Sequence, residues 1–266
     1  MVAPIGVPYA WWRDAVVRVD RAGYSGVWTW DHFASRGTGR PSLEAWTSLA
    51  TVAPLTRTVT LGTLVTNVMN RHPAVLARIA ATLQDASRGR VVVGLGIGGD
   101  AAEHAAFGVD LPPAAERVRR LEETCVVLRA LWSGERVDLA GEFWQLRGAL
   151  GLPAPRPVPP IVVAGQTRTG ARMAARAGDA WTTRPDLLEA LLPVYRDARA
   201  VLGRGPGRVI VGFEGSRAGT SYVAGTAWQR DPAAELAAWR ARGADEVVLT
   251  ARTDADIDAL EAMAAG

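Results

Sequence analysis

Three short stretches of this chain combine residue types that can bind a ligand or catalyse a reaction, and the first is Asp31-His32. These two residues follow Ser25 to Trp30, a short run typical of a buried strand. A histidine beside an acid at the end of a strand can donate a proton to a bound ring or substrate, or accept one from it. The alternative is a histidine that only bonds loop backbone groups. We take Asp31 and His32 as the catalytic candidates.

The second stretch is a glycine run, Gly94 to Gly99, followed by Asp100. It matches the G-x-G-x-x-G fingerprint of dinucleotide-binding folds, which opens a long helix and is followed about 20 residues later by an acid that ends a strand. Here only a short segment to Gly108 follows, and Glu122 falls inside a helical pattern. The run therefore indicates a strand end that a ligand or a neighbouring segment approaches closely, without a dinucleotide-binding fold.

The third stretch, Gln166-Thr167-Arg168-Thr169, connects a predicted strand to a predicted helix. Free N–H groups at a helix start, together with two hydroxyls, form a natural phosphate site. Capping of the helix by a threonine explains the same residues equally well. Of the two other histidines, His72 precedes a helix-opening proline and is predicted to cap that helix, whereas the pattern leaves the role of His104 open.

Several kinds of chemistry are excluded by what the sequence lacks. It has three histidines and one cysteine, with no H-x-H or H-E-x-x-H spacing, so we predict no metal site. All 30 basic residues are arginine, which removes Schiff-base chemistry at a lysine. No G-x-S-x-G nucleophile elbow occurs either.

Composition narrows the class of protein. The chain has 266 residues, of which 48% are apolar, enough for one large α/β domain. The arginines are spread among acids, so the net charge of +3 forms no basic cluster and we expect no nucleic-acid partner. The single cysteine, Cys125, excludes a disulfide framework and indicates a reducing cytoplasm. We expect no secretory signal and no membrane partner from the apolar pattern.

The candidate residues are positioned by an alternation of strands and helices. The predicted strands are Ala3 to Val7, Ser25 to Trp30, Val59 to Thr66, Arg90 to Gly96, Ile161 to Gly165, Ala180 to Thr183, Arg208 to Phe213 and Glu246 to Thr250. This order predicts a single (β/α)8 TIM barrel over residues 1–266, with an irregular proline-rich excursion at about 133–160. An open doubly wound sheet is the alternative.

In a barrel of this kind, the reactive face lies at the carboxyl ends of the strands. Those ends include the three stretches above. The remaining strand ends carry Tyr9, Asn67, Arg184, Glu214 and Arg252.

Four segments together resemble the luciferase-like monooxygenase superfamily, most closely its branch of oxidoreductases that use the deazaflavin coenzyme F420. They are Gly26 to Phe33 (GVWTWDHF), Leu61 to Asn67 (LGTLVTN), Arg71 to Pro73 with Ala80 to Leu83, and Gly89 to Gly98 (GRVVVGLGIG). Later pieces agree, including Glu103 followed by Phe107-Gly108, and Pro160 to Gly165.

The resemblance implies a TIM barrel that binds F420 or FMN at the carboxyl face, as a homodimer. It places Asp31 and His32 near the reacting ring carbon and the substrate, and a non-proline cis peptide, Leu64–Val65, beneath the ring. The implied cofactor-binding residues are Thr63, Leu64, Val65, Asn67, Gly98, Gly99, Asp100, Ala164, Gly165, Gln166 and Thr167. The expected substrate-binding residues are Tyr9, Trp11, Trp30 and Glu214.

This sequence departs from the family pattern at two points. Members that oxidise a sugar phosphate hold the phosphate with lysine, which is absent here, and they have Glu in the glycine loop where this chain has Gly99-Asp100. The leading hypothesis is an F420-dependent oxidoreductase that transfers a hydride between the reduced deazaflavin and a small organic substrate. An FMN-dependent monooxygenase and a flavin-binding barrel without turnover are the alternatives.

Overall fold

The computed structural model describes residues 2–4, 6–34, 41–213 and 222–266. The strands are β1 Val2–Pro4, β2 Gly26–Thr29, β3 Thr60–Thr63, β4 Thr66–Asn67, β5 Val91–Gly96, β6 Arg136–Ala140, β7 Gln145–Leu150, β8 Ile161–Ala164, β9 Ala180–Thr183, β10 Arg208–Phe213 and β11 Glu246–Ala251. The helices are α1 Tyr9–Arg21, α2 Ala45–Val52, α3 Pro73–Ala86, α4 Ala101–Ala106, α5 Ala114–Trp132, α6 Arg168–Ala177, α7 Leu188–Val201, α8 Ala227–Arg230, α9 Pro232–Ala241 and α10 Asp254–Ala265.

Eight of these strands form a ring of parallel pairs. Starting at β1, the ring runs through β2, β3, β5, β8, β9, β10 and β11, and β11 pairs again with β1. The predicted TIM barrel is thereby confirmed, and the open sheet is excluded because β3 also pairs with β5.

The third predicted strand, Val59 to Thr66, is two strands in the structure. The chain pairs with β2 as far as Thr63, passes through a cis peptide bond at Leu64–Val65, and then pairs with β5 alone as β4. The cis bond lies where the family resemblance placed it. A continuous run of apolar and β-branched residues predicts extended backbone but carries no signal for this break.

The strands separate two apolar cores. The inner core fills the barrel and contains Trp28, Val162, Ala180, Ile210 and Val248. The alternate positions face outward and pack against the helices, as Val163 and Val211 do. The period of two along each strand sets this division, and the next inward residue of each strand lies at the carboxyl face of the barrel.

The segment predicted as an irregular excursion contains an antiparallel hairpin of β6 and β7. It packs on α5, where the Glu123 carboxylate accepts hydrogen bonds from the N–H groups of Phe143 and Trp144. The hairpin is paired apart from the barrel sheet and contributes none of the residues that line the main cavity.

Two predicted helix caps have different outcomes. Ser42 precedes a helical pattern that includes Leu43, Trp46 and Leu49, which predicts that it caps α2. This prediction is wrong, because the Glu44 side chain accepts from the N–H of Thr47 at 2.6 Å, while the Ser42 hydroxyl donates to the His32 carbonyl at 2.8 Å. The prediction for His72 is confirmed, since its Nδ1 accepts from the N–H of Ala74 at 3.1 Å. None of the helices in the described residues is long and apolar enough to cross a membrane.

The one cysteine is a core residue. Cys125 lies on the inner face of α5 with 2% of its surface exposed, and this burial raises the pKa of its thiol to about 12. Because only the thiolate reacts, we expect the native protein to give no thiol signal with a disulfide reagent at pH 8, and one thiol per chain after unfolding in guanidinium. A rapid reaction of the folded protein would show that Cys125 is accessible.

Candidate active site

A cavity of about 700 Å³ opens at the carboxyl face of the barrel. Its floor is made by the inward-facing residues directly above the inner core, and most of these residues are small. They are Leu64, Gly96, Ala164, Thr182, Gly212 and Thr250. The loops that follow the strands form its walls. A broad floor of small residues beneath polar walls suits a flat, partly apolar ligand of cofactor size.

His32 lies on the wall of this cavity and is held by a carboxylate distant in the sequence. Its Nδ1 lies 2.8 Å from Glu103 Oε2, and the two side chains are 41% and 8% exposed. A carboxylate can only accept from the ring, so Nδ1 carries the hydrogen in the neutral imidazole and Nε2 is left as the acceptor. This arrangement leaves a proton acceptor available to a ligand.

Glu103 is kept ionised by its surroundings. Burial raises the pKa of this carboxyl, but hydrogen bonds from His32 and from the N–H groups of Ala34 and Phe33 lower it by more, so the net pKa is below the ordinary value. An ionised Glu103 accepts the hydrogen bond from Nδ1 and so orients the His32 ring. The pair therefore suits proton transfer at Nε2.

Asp31 has a different partner from His32, although the two are neighbours in the sequence. Its carboxylate forms two hydrogen bonds with Arg71, at 2.7 and 2.8 Å, and accepts from the N–H of Asn67 at 2.9 Å. The Asp31 side chain is 5% exposed. This buried ion pair ties the end of β2 to the loop after β4 and so holds His32 in place.

Most glycines of the run from Gly94 to Gly99 are needed to avoid collisions with other residues of the protein, not to admit a ligand. A Cβ at Gly94 would collide with the Thr63 carbonyl, and one at Gly96 with the Val65 side chain. At Gly98, whose φ is +70°, a Cβ would lie 2.8 Å from the Asn67 amide, whereas Gly99 has open space beside it. Gly99 therefore fits the expectation of close ligand approach, whereas Gly94 and Gly96 are explained by packing against Thr63 and Val65.

Two polar side chains hold the end of this glycine loop. Asp100 caps α4 by accepting from the N–H of Glu103 at 3.1 Å, which orients the helix that carries the partner of His32. Arg117 of α5 donates to the carbonyls of Ile97 and Gly98, at 3.0 and 2.6 Å. The loop is thus fixed from both sides.

The structure gives a partner to His104, whose role the sequence left open. The Asn67 Oδ1 accepts from the N–H of Met69 at 3.0 Å, so the Asn67 Nδ2 is the group that faces His104 Nε2 at 2.8 Å. Nε2 of His104 then accepts this hydrogen bond. His104 is 2% exposed and lines the cavity, but it is locked as a support for Asn67.

The start of α6 forms the opposite wall. Thr167 caps this helix by accepting from the N–H of Gly170 at 3.0 Å. A Cβ at Gly165 would lie 2.5 Å from the Gly170 carbonyl, so glycine is needed for the strand to turn closely onto the helix. Gln166, Thr167 and Thr169 line the cavity, and the free N–H groups of the first turn are positioned to bind a phosphate there.

Most of the predicted site residues meet at this cavity. The predicted residues that line it are Trp30, Asp31, His32, Leu64, Val65, Asn67, Gly98, Gly99, Asp100, Ala164, Gly165, Gln166 and Thr167. Thr63 lies beneath it, where its hydroxyl donates to the Gly94 carbonyl at 2.9 Å. Tyr9 and Trp11, on the first turn of α1, are not among its lining residues, and Glu214 lies outside the described residues.

Sequence reasoning missed two residues of the site, Glu103 and Arg71. Both were visible only as parts of the family pattern, and no spacing connects Glu103 to His32, which is 71 positions away. Arg71 lies 40 positions from Asp31. Nothing in the sequence around either residue distinguishes it from the many arginines and acidic residues of the surface.

Beyond the cavity rim, a buried carboxylate anchors the loop after β11. Asp256 is fully buried and accepts from the N–H groups of Tyr222, Val223, Arg252 and Thr253. Burial raises the pKa of Asp256, but these bonds lower it by more, so its net pKa is below the ordinary value.

The depressed pKa of Asp256 sets a direction for acid unfolding. Its stabilisation is fully present above the ordinary carboxyl pKa of about 4 and is lost as the pH falls through the lower folded value. We expect Asp256→Asn to cost about 1–3 kcal/mol at pH 7, because the charged acceptor is lost, and clearly less at pH 3. Urea unfolding at both pH values measures this, and an equal cost at both would contradict it.

In the part of the chain that the structure describes, no three His, Cys, Asp or Glu side chains come together to hold a metal ion. The fold is a (β/α)8 barrel. At its carboxyl face it has a cavity large enough for an organic cofactor, with a histidine–carboxylate pair in the wall. A family model described as luciferase-like monooxygenase matches residues 4–248. The chain belongs to this family.

Similar curated proteins use F420 according to their names. An F420-dependent glucose-6-phosphate dehydrogenase of Kineococcus radiotolerans is 36% identical over 205 residues, which is 74% of this chain and 60% of that protein. An F420-dependent hydroxymycolic acid dehydrogenase of Mycobacterium tuberculosis is 35% identical over 194 residues, or 70% of this chain and 53% of that protein. The chain thus spans little more than half the length of these relatives.

Solved structures share the fold. A monooxygenase from Streptomyces bottropensis superimposes with a TM-score of 0.79 at 24% identity, over 100% of this chain and 98% of that one. An F420-dependent secondary alcohol dehydrogenase, solved with an F420–acetone adduct, gives a TM-score of 0.74 at 24% identity over 80% and 68% of the two chains. At this identity, the likeness establishes the barrel and its topology.

Proposed function

We propose that this protein is an F420-dependent oxidoreductase that transfers a hydride between the deazaflavin and a small organic substrate. The observation that carries the proposal is His32, which lines the 700 Å³ cavity while Glu103 holds its Nδ1 at 2.8 Å. The names of the curated relatives support F420 as the cofactor and dehydrogenation as the type of reaction.

The residues of the cavity fit this cofactor. The small side chains of the floor leave space for a flat ring over Leu64 and Val65, and the Thr183 hydroxyl, buried without a partner among the described residues, is a free hydrogen-bonding group in the same wall. The start of α6 and its Thr167 offer N–H and hydroxyl donors to a phosphate of the tail. When bound, the deazaflavin supplies or accepts the hydride.

The protein's own part is to position the substrate and to move one proton. In the oxidation of an alcohol, the hydride leaves the carbinol carbon and His32 Nε2 accepts the hydroxyl proton, while Glu103 stabilises the positive ring that results. In the reverse direction, the same nitrogen returns the proton to the carbonyl oxygen. Trp30, whose ring centroid lies 6.0 Å from that of His32, borders the place where the substrate would bind.

The proposal includes a cytoplasmic location and a homodimer. The first is supported by the single, buried cysteine, which is typical of a protein kept in a reducing compartment. The second is supported by the family resemblance. Light scattering of the purified protein in solution tests the dimer directly.

Titration with F420 and with FMN, each followed by its own fluorescence, tests the choice of cofactor. We expect F420 to bind in the micromolar range or tighter and FMN to bind at least about tenfold more weakly. A matched variant, Ala164→Leu, should weaken F420 binding by placing a larger side chain in the floor, whereas Ala175→Gly on the buried face of α6 should not. Tight FMN binding with no F420 binding would overturn the proposed cofactor.

A further inference from the structure

Arg252 is not itself a lining residue of the cavity, but it lies beside the lining residue Trp30, and the proposed reaction does not use it. It follows β11, in which the inward-facing residues Val248 and Thr250 line the cavity. Because every second residue of a strand faces the same side, Arg252 is the next residue on the inward side. Its guanidinium carbon lies 5.8 Å from the ring centroid of Trp30 and 4.8 Å from that of Tyr222. The guanidinium therefore lies close to two aromatic rings, one of which borders the site of His32.

Few hydrogen bonds from this guanidinium are made within the described residues. Among them, one of its five N–H donors is bonded, from Nη1 to the Tyr222 hydroxyl at 2.9 Å. Nε is buried and has no partner among the described residues. A cation over aromatic rings is stabilised by their π faces but keeps its in-plane donors free, which is the arrangement of a site for an anion.

The nearby carboxylates of the described residues are engaged elsewhere. Asp254 accepts from Trp11 Nε1 at 2.6 Å, and Asp256 is bonded to backbone N–H groups, including that of Arg252 itself. Arg184, an arginine that does line the cavity, differs because its guanidinium is paired with Asp186 at 3.0 and 2.5 Å. Arg252 has no such ion pair within the part of the chain that the structure describes.

We propose that Arg252 binds an oxyanion of the substrate, a carboxylate or a phosphate ester, at the rim of the cavity beside Trp30. The inference rests on the proposed function, because it assigns the class of substrate for that reaction. Since Arg252 donates to the Tyr222 oxygen, the Tyr222 hydroxyl keeps its own hydrogen and can donate to the same anion. The Trp30 ring centroid lies 6.0 Å from that of His32 and 5.8 Å from the Arg252 guanidinium carbon, so a substrate whose charged end binds Arg252 can have its reacting carbon near His32.

The first test measures anion binding by calorimetry in F420-loaded protein, with inorganic phosphate and acetate as separate probes. We expect at least one probe to bind at millimolar concentration or below, and Arg252→Gln to weaken it by about tenfold or more. Arg252→Lys should retain part of the affinity, and Tyr222→Phe should lose a smaller part. The probe that binds better distinguishes a carboxylate site from a phosphate site.

The matched control is Arg242→Gln. Arg242 also stacks on a tryptophan, at 3.8 Å from the ring centroid of Trp239, but it lies at the C-terminal end of α9 and pairs with Glu189 away from the cavity. The Arg242→Gln variant should therefore leave anion binding unchanged. The proposal is overturned if neither probe binds the wild type, or if Arg252→Gln and Arg242→Gln bind both probes like the wild type.

A second readout compares turnover of matched alcohols, 2-butanol with 3-hydroxybutyrate and glycerol with glycerol 3-phosphate. Arg252→Gln should lower kcat/KM about tenfold or more for an anionic member and leave its neutral partner within about twofold. Equal losses for both members would indicate a structural role and overturn the inference. Absence of F420 binding in the same samples sinks the proposed function instead, while the difference between the two variants in anion binding still tests Arg252.

Discussion

Replacement of His32 by glutamine is expected to lower kcat for hydride transfer by about 10²–10⁴-fold and to leave F420 binding within about twofold of the wild type. The reason is that His32 Nε2 is the group positioned to take the substrate proton, while the floor and the α6 wall that fit the cofactor do not involve this ring. Stopped-flow measurement of F420 reduction, with the dissociation constant measured separately, distinguishes the two effects.

Two further variants make the His32 experiment specific. His72→Asn removes another histidine but keeps a side-chain acceptor for the N–H of Ala74, so it should leave kcat unchanged. Glu103→Gln keeps an acceptor for Nδ1 but removes the negative charge, and a loss of about tenfold in kcat is expected. If His32→Gln turned over at the wild-type rate, His32 would not be the proton-transferring group.

The largest effect on stability is expected from Arg71→Met. This substitution leaves the Asp31 carboxylate, whose side chain is 5% exposed, without its cationic partner, and a buried pair broken in this way typically costs about 3–5 kcal/mol. Urea unfolding at pH 7 measures the loss of free energy. The double variant Asp31→Asn with Arg71→Met should recover part of it, because no unpaired charge remains and the amide oxygen still accepts from Asn67.

An exposed arginine provides the control for Arg71. Arg119 pairs with Glu142 through hydrogen bonds of 3.0 to 3.2 Å, but both side chains are half exposed, so Arg119→Met should cost no more than about 1 kcal/mol. A cost for Arg71→Met as small as that for Arg119→Met would show that the Asp31 pair does not stabilise the carboxyl face.

The regular elements were predictable because their signals are local. The apolar spacing along α5 gives its bounds as Ala114 to Trp132, and the short apolar runs give β9 and β10, in agreement with the structure. Boundaries set by side-chain contacts were less accurate. The predicted cap of α2 was Ser42, but the observed cap is Glu44, because the Ser42 hydroxyl donates to the His32 carbonyl and not to the start of the helix.

The sequence by itself thus determined the alternation of strands and helices, the excess of polar and glycine residues at the carboxyl ends of the strands, and the family, but not the break within the third strand. Only the tertiary structure decided that the barrel closes, that Glu103 rather than Asp31 holds His32, and that Arg252 stands over Trp30 without a carboxylate partner among the described residues. The physical reason is sequence distance. Helix and strand patterns repeat within a few residues, whereas these contacts join residues tens to hundreds of positions apart, which only the folded barrel brings together.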